Sequence, residues 1–421
     1  MIKKIIFFNF LIISTFSFAQ RTNSSPYSFF GIGDEGSIKS VEEIAMGKMG
    51  GMLDSEFQLS FTNPASYGAL QWTTYVFSGG NKVTNIDDGT EQQTSSAASL
   101  TYIAMGIPIR GNQGLAFGLQ LNTAVGYSLL ESNFEDDLLV ETNQLYGDGG
   151  TNRVFIGYGY KFPFDLKLGY EAAYVFGGID NNIVNRRLGV QYATKYVTSS
   201  YVKGFAHKLG AQYTKPLKNN LKLKLGAAVT LDHTLNEKGD EYIYSIVNSE
   251  ELNTRPIDTL LNTHFNSEIK SPLKSVLSAG VGKNNKWFVG AEYTFQDAIE
   301  FSGGIYDVET RYYYSNSSLI SFGGFYTPKF NSISNYWQRV TYRGGLYYNN
   351  LGLVINDTEI KDIGMSFGIS LPLGLKLSNI NLGFELGQRG TTDHNLVKEN
   401  YYNFRLSISL NDKWFRKQKI Y

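Results

Sequence analysis

The chain has 421 residues, equal numbers of Lys plus Arg and Asp plus Glu (38 each), and so a formal net charge of zero, which gives no sign of a nucleic-acid partner. Charged residues are only 18% and there is no Cys, which excludes disulfides, thiol catalysis and lipid attachment at an N-terminal Cys. Gly (44), Tyr (29) and Phe (28) are abundant, a composition suited to strands, tight turns and aromatic girdles.

Residues 1–19 read as a secretory signal. Lys3 and Lys4 supply the positive start, residues 5–18 an apolar run broken by Asn9, and Ser17-Phe18-Ala19 a small-x-small cleavage site. The mature chain is then expected to begin at Gln20, outside the inner membrane. Residues 24–70 differ from everything after them. They are rich in Gly, Ser and Met, lack sustained alternation, and suggest a short helix around residues 40–46. This stretch is expected to precede a barrel and to sit inside it as a hatch over residues 20–70.

From residue 71 onward the pattern has period two. In Leu115-Ala116-Phe117-Gly118-Leu119-Gln120-Leu121-Asn122 every second residue is large and apolar, and 402–410 repeats it. Successive side chains of a strand point to opposite faces, so each segment has one greasy and one wet face. With no helix to cover such a sheet, a bilayer is the simplest apolar medium, and a closed barrel is the only sheet that can cross it. Fourteen strands are expected, centred on 72–78, 98–108, 114–128, 152–161, 165–178, 202–214 and 221–231, then 272–281, 286–295, 319–326, 340–348, 362–371, 380–387 and 402–410. Short spacers (110–113, 163–164, 218–220, 283–285, 373–379) alternate with long ones (79–97, 129–151, 179–201, 232–271, 296–318). That sorting predicts periplasmic turns and extracellular loops, with 327–339 too long for its side. The fold class is therefore all-β, a transmembrane antiparallel barrel of about fourteen strands over 71–421, in the outer membrane of a Gram-negative cell. The last strand ends at Trp414-Phe415, as barrel-insertion signals do, although a basic tail follows.

Parity places Lys167, Glu171, Lys222, Lys224, Glu292, Arg343, Glu385 and Arg405 on the lumen side, since Lys or Arg facing lipid at mid-membrane costs roughly 2–4 kcal/mol. Charges of both signs can line a polar channel, or pair with one another and with a plug. Glu131, Glu135, Asp136, Asp137, Glu141 and Asp148 share one spacer without a Lys or Arg, and read as a solvated acidic loop.

Two strings imitate catalytic motifs. Gly31-Ile32-Gly33-Asp34-Glu35-Gly36 fits the dinucleotide fingerprint but lacks the flanking strand and helix. Gly364-Met365-Ser366-Phe367-Gly368 fits the nucleophile elbow but lies mid-strand, with Met365 and Phe367 facing out. His207, His233, His264 and His394 are scattered, without metal-ligand spacing. No enzymatic activity, cofactor or metal is expected.

The informative motif is Ala45-Met46-Gly47-Lys48-Met49-Gly50-Gly51, followed by Asn63-Pro64-Ala65-Ser66. Small residues allow close backbone packing, and Asn-Pro-Ala makes a fixed turn before the first strand. The pair, with Asp54 and Glu56 between, resembles the N-terminal hatch of the long-chain fatty acid transporter family of outer-membrane barrels. The resemblance implies fourteen strands, a hatch built on Met46, Gly47, Met49, Gly50, Gly51, Asn63, Pro64 and Ala65, and passive uptake of hydrophobic molecules such as fatty acids that leave through the barrel wall. A different reading is a non-transporting accessory barrel of an outer-membrane secretion or barrel-assembly complex. The expected surroundings are outer-membrane lipid, with a hydrophobic ligand in the first reading and other outer-membrane proteins in the second. An apolar cavity reaching a gap in the wall would favour uptake; a lumen filled with ion pairs would not.

Overall fold

The computed structural model describes residues 23–414 except 37, 110, 137, 248–255, 304–311 and 375–376, so the signal segment, Phe415 and the basic tail lie outside the described residues. The first strand is a two-residue piece, β1 (Asp34–Glu35). Then come β2 (Thr73–Asp87), β3 (Gln92–Pro108), β4 (Gln113–Glu135), β5 (Leu138–Lys161), β6 (Leu166–Arg187) and β7 (Tyr192–Pro216). Next are β8 (Leu221–Thr230), β9 (His233–Val247), β10 (Pro256–Ser271), β11 (Lys274–Lys283), β12 (Trp287–Gln296) and β13 (Glu300–Ser302). The last are β14 (Tyr312–Tyr314), β15 (Ser317–Tyr326), β16 (Thr341–Ile355), β17 (Thr358–Leu373), β18 (Ser378–Gly390) and β19 (Lys398–Asp412).

Fourteen of these build the wall: β2 to β8, β11, β12 and β15 to β19, each antiparallel to the next. The β19–β2 ladder, from Lys398↔Asp87 to Asp412↔Thr73, closes the barrel. Every strand expected from alternation coincides with one of the fourteen. Phe77, Ile103, Phe117, Leu119, Val154 and Ile156 are among the exposed large apolar residues that form its outer belt. An isolated sheet would not expose such a belt to water; a bilayer covers it.

Four of the five long spacers are mostly strand rather than loop. Residues 79–97, 129–151 and 179–201 continue the wall strands upward as hairpins, and β9 with β10 forms a further hairpin beside the upper half of β7. These stretches are rich in Thr, Ser, Asn and Tyr, which pair well in a ladder standing in water on both faces. Apolar alternation is absent there because no lipid demands it. On the opposite side β8, β11, β12 and β15 are ten residues each, so the barrel is tall on one side and low on the other. The spacer 327–339 remains a true loop, with a 3-10 turn at Tyr336–Gln338 and a bond from the Lys329 N–H to the Gln338 carbonyl (2.8 Å).

One seam of the wall is incomplete. β3 and β4 pair only from Tyr102↔Gln120 to Pro108↔Gly114, and among the described residues they part above that level. β4 has a register break at Asn122, where one extra residue turns the strand. On its freed edge sits β1, with Asp34↔Ala124 and Glu35↔Thr123 paired and the Gly36 N–H bonded to the Asn122 carbonyl (2.6 Å).

Candidate functional site: the plugged lumen

The lumen holds the N-terminal segment in two layers. The lower layer, residues 40–70, starts with the short helix Val41–Ile44. Its capping box is complete: the Glu43 N–H donates to Ser40 Oγ and the Ser40 N–H to Glu43 Oε2 (2.6 Å). The other carboxylate oxygen of Glu43 accepts from Ser60 Oγ (2.6 Å) and the Thr62 N–H (3.2 Å), binding the two limbs of the hatch together. Met46, Met49 and Met52 are buried against Phe288 of the wall.

Between hatch and wall the backbones touch directly. A Cβ added at Gly226 would collide with the Gly51 carbonyl, at Gly323 with that of Met46, at Gly345 with the Gly47 N–H, and at Gly169 with Pro64 and Ala65. Gly47 itself has φ 72°, a left-handed conformation that favours Gly, and lies on the carbonyls of Phe322 and Leu346. Its N–H donates to Ser366 Oγ (2.8 Å), so the serine of the apparent nucleophile elbow is a buried hatch anchor. Asn63, fully buried, donates through Nδ2 to the carbonyls of Gly51 (2.8 Å), Ala211 (3.0 Å) and Ala227 (3.1 Å) and accepts from the Ala65 N–H (3.0 Å). Pro64 opens the turn Pro64–Ala69, which places Tyr67 against Gly157.

Most of the lumen charges expected from parity meet this hatch. Glu292 accepts the N–H groups of Gly50 (2.8 Å) and Gly51 (2.6 Å) and pairs with Lys39 (2.9 Å). Glu385 pairs with Lys48 (3.0 Å), which also reaches Asp362 (3.5 Å) and lies 3.7 Å from the Tyr347 ring centre. Lys167 (2.8 Å) and Lys224 both bind Asp54. Burial pushes the Asp54 carboxyl up, but the Lys224 and Lys167 ammoniums outweigh it and hold the group well below the usual carboxylate range. Glu171 accepts from Tyr67 OH (2.9 Å) and pairs with Arg153 and with Lys208 (3.4 Å). Arg343 bonds Ser370 Oγ on the neighbouring strand, Lys222 stands half-buried at the periplasmic end, and Arg405 lines the space above the hatch.

Sequence reading missed Lys39, Arg153, Lys208, Asp362, Arg389 and Glu399. Arg389 and Glu399 share the inward parity of Glu385 and Arg405 on the same strands, and Arg153, Lys208 and Asp362 alternate with the outward Val154, Leu209 and Ile363, so carrying the parity count along every strand would have found all five.

The upper layer, residues 23–36, lies along β4, where a Cβ at Gly126 would collide with the Asn23 carbonyl. Arg389 binds Asp34 (2.8 Å), Ser25 bonds Glu399, and Tyr27 OH bonds the Val397 carbonyl (2.5 Å). Between the layers lies a chamber of about 470 Å³. Phe30, Ile32, Ile269 and Phe301 form part of its apolar lining, and Lys82, Arg153 and Arg405 part of its charged lining. Ala97, Ser99 and Thr101 of β3 and Leu121 to Ala124 of β4 also line it, so the chamber reaches the incomplete seam.

No curated sequence matches the chain. Among solved structures it is similar to the toluene transporter TbuX of Ralstonia pickettii (13% identity, TM-score 0.57, 90% of this chain and 99% of that one covered). It is also similar to a FadL homologue of Pseudomonas aeruginosa (11%, 0.58, 89% and 98%) and to the toluene transporter TodX of Pseudomonas putida (15%, 0.55, 90% and 98%). The shared fold is the fourteen-stranded outer-membrane barrel of the FadL family, as the hatch motif suggested. The family model BamG matches residues 1–421. This outer-membrane barrel therefore belongs to the BamG family.

Proposed function

We propose that the chain is a non-conducting accessory barrel that serves other outer-membrane proteins in a secretion or barrel-assembly complex. The observation that supports this most is the lower hatch. Its backbone rests on wall glycines, and the lumen carboxylates Glu171, Glu292 and Glu385 are each bonded to hatch groups. A plug that must swing aside would have to break these contacts together and leave buried charges unpaired, at roughly 3–5 kcal/mol for each pair broken. A hatch built this way is a keystone of the wall rather than a door. The toluene transporters that the chain resembles share the fold alone, at 13% and 15% identity. No catalysis is assigned.

The chamber beside the β3–β4 seam favours a second reading, lateral uptake of hydrophobic molecules that never crosses the hatch. One pair of measurements separates the two. Under the first reading, oleate and toluene uptake by cells bearing the chain equals that of cells without it, and the chain purifies in fixed ratio with other outer-membrane proteins. Uptake above the control that Ala97→Trp abolishes would overturn the first reading and establish the second.

A further inference from the structure

The periplasmic end of the barrel carries its charge unevenly. Four neighbouring connections from β5 to β16, residues 161–166, 215–222, 283–287 and 327–340, hold eight basic residues and one acid. The acid, Asp165, pairs with Lys161 (3.0 Å). The other seven make no ion pair within 4 Å among the described residues: Lys215, Lys218 and Lys222, then Lys283 and Lys286, then Lys329 and Arg339. The connections adjoin, since the Thr214 N–H donates to the Asp165 carbonyl (3.2 Å) and the Thr327 N–H to the Lys286 carbonyl (2.7 Å). Cations set side by side without counter-ions repel one another and favour a bound anion.

Two of these lysines turn toward lipid. Lys215 shares the outward parity of Leu209 and Tyr213, and Lys283 that of Leu277. They flank β8, where they face Leu223 and Leu221. Lys283 also faces Trp287, which faces Tyr326 on β15, so aromatic rings of the interfacial girdle stand beside the ammonium. Above them the outer wall is dented by a groove of about 700 Å³, within the roughly 300–1,000 Å³ of sites that hold small ligands. Ala279 and Ala291, paired across β11 and β12, form its floor, and Leu225, Leu277, Tyr293 and Phe322 rise around them. Ala279 lies four residues above Lys283 on β11, roughly 13 Å along the strand. An apolar groove with cations at its interfacial end fits the two halves of a phospholipid, chain and phosphate. The long lysine stems lie along apolar wall and carry their charge to the headgroup level. A soluble acidic protein would meet the lysines at the lumen mouth, not those turned to the bilayer.

We infer that the outer wall over β7, β8, β11 and β12 is a binding site for an anionic phospholipid of the periplasmic leaflet. Its phosphate lies among Lys215, Lys283 and Lys286, and an acyl chain lies in the groove above. The site stands whether or not the lumen conducts. The test purifies the full chain in detergent, adds dioleoylphosphatidylglycerol or dioleoylphosphatidylcholine, and counts retained lipids by native mass spectrometry. Unheated gel mobility confirms that each variant barrel is closed. Wild type should retain phosphatidylglycerol at least tenfold better than phosphatidylcholine, and the preference should weaken as salt rises. Lys215→Gln/Lys283→Gln/Lys286→Gln should abolish the preference, whereas Lys203→Gln/Lys238→Gln, two exposed lysines nearer the extracellular end, should keep it. Ala279→Leu/Ala291→Leu fills the groove and should lower retention of phosphatidylglycerol severalfold. Equal retention of the two lipids by wild type, or a preference that survives the triple change, would overturn the site. Undiminished retention in the groove variant would overturn the bound chain and leave a phosphate contact alone. A wild type without lipid preference that recovers an acidic periplasmic protein, lost with the triple change, would overturn the lipid in favour of a protein.

Discussion

The lower and upper halves of the lumen use the same kinds of residues to opposite ends. Below, Ser40 to Leu70 meets a wall of glycines and carboxylates at every side, and the backbone of the plug takes the place that side chains would fill in a solid barrel. Above, Asn23 to Gly36 meets the wall by backbone along β4 alone, at Gly126 and over Asp34 to Gly36, reaches the far side through side chains that Arg389 and Val397 hold, leaves a chamber, and edges a seam where β3 and β4 do not pair. Charge is plentiful in both halves, so charge does not make the seal. Contact between backbones against several strands at once does, because it leaves no room for water to enter and solvate the buried ions.

The sharpest way to break the lower half is to return a side chain to the wall. Gly226→Val or Gly345→Val should prevent seating of the hatch, and the variant should fail to reach the compact, heat-modifiable form on gels. Glu292→Ala strands Lys39 and the Gly50 and Gly51 N–H groups, so a loss of about 3–5 kcal/mol is expected in denaturant unfolding. Glu292→Gln keeps an acceptor for those N–H groups and should cost less. Asn63→Ala removes the two N–H donors that serve the Gly51, Ala211 and Ala227 carbonyls and the acceptor of the Ala65 N–H, and should cost about 2–3 kcal/mol.

Acid should act on the same layer. Because the folded Asp54 carboxyl lies below its unfolded value, its stabilisation is complete above the ordinary carboxylate range, near 4, and is lost as pH falls toward the folded value. Wild type should thus lose stability between about pH 5 and pH 2, and Asp54→Asn should show a shallower loss. The upper half should respond least. Lys82 and Arg405 make no ion pair within 4 Å among the described residues, so Lys82→Met or Arg405→Met should change stability by under about 1 kcal/mol. A larger loss would mean that the chamber is as tightly organised as the plug.

Much of this was legible in the chain. The fourteen wall strands follow from alternation because lipid on one side and a polar lumen on the other force a period of two, and no other solvent geometry does so over fourteen segments. The hatch motif marked the plug because Gly-Gly and Asn-Pro-Ala break that period. The extracellular hairpins were read as loops because strands wet on both faces leave no hydrophobic signature.

What sequence alone determined, then, is the solvent of each face: which side chains meet lipid, which turn inward, and which segment stands apart from both. Tertiary structure decided who meets whom. That Glu292 caps Gly50 and Gly51, that Ser366 anchors Gly47, and that β3 and β4 part above Tyr102 are facts about residues up to 319 positions apart in the chain. Alternation fixes a side chain's direction but says nothing of its partner, because pairing across a lumen depends on barrel width, strand stagger and the path of the plug, none of which repeats with the period of a strand.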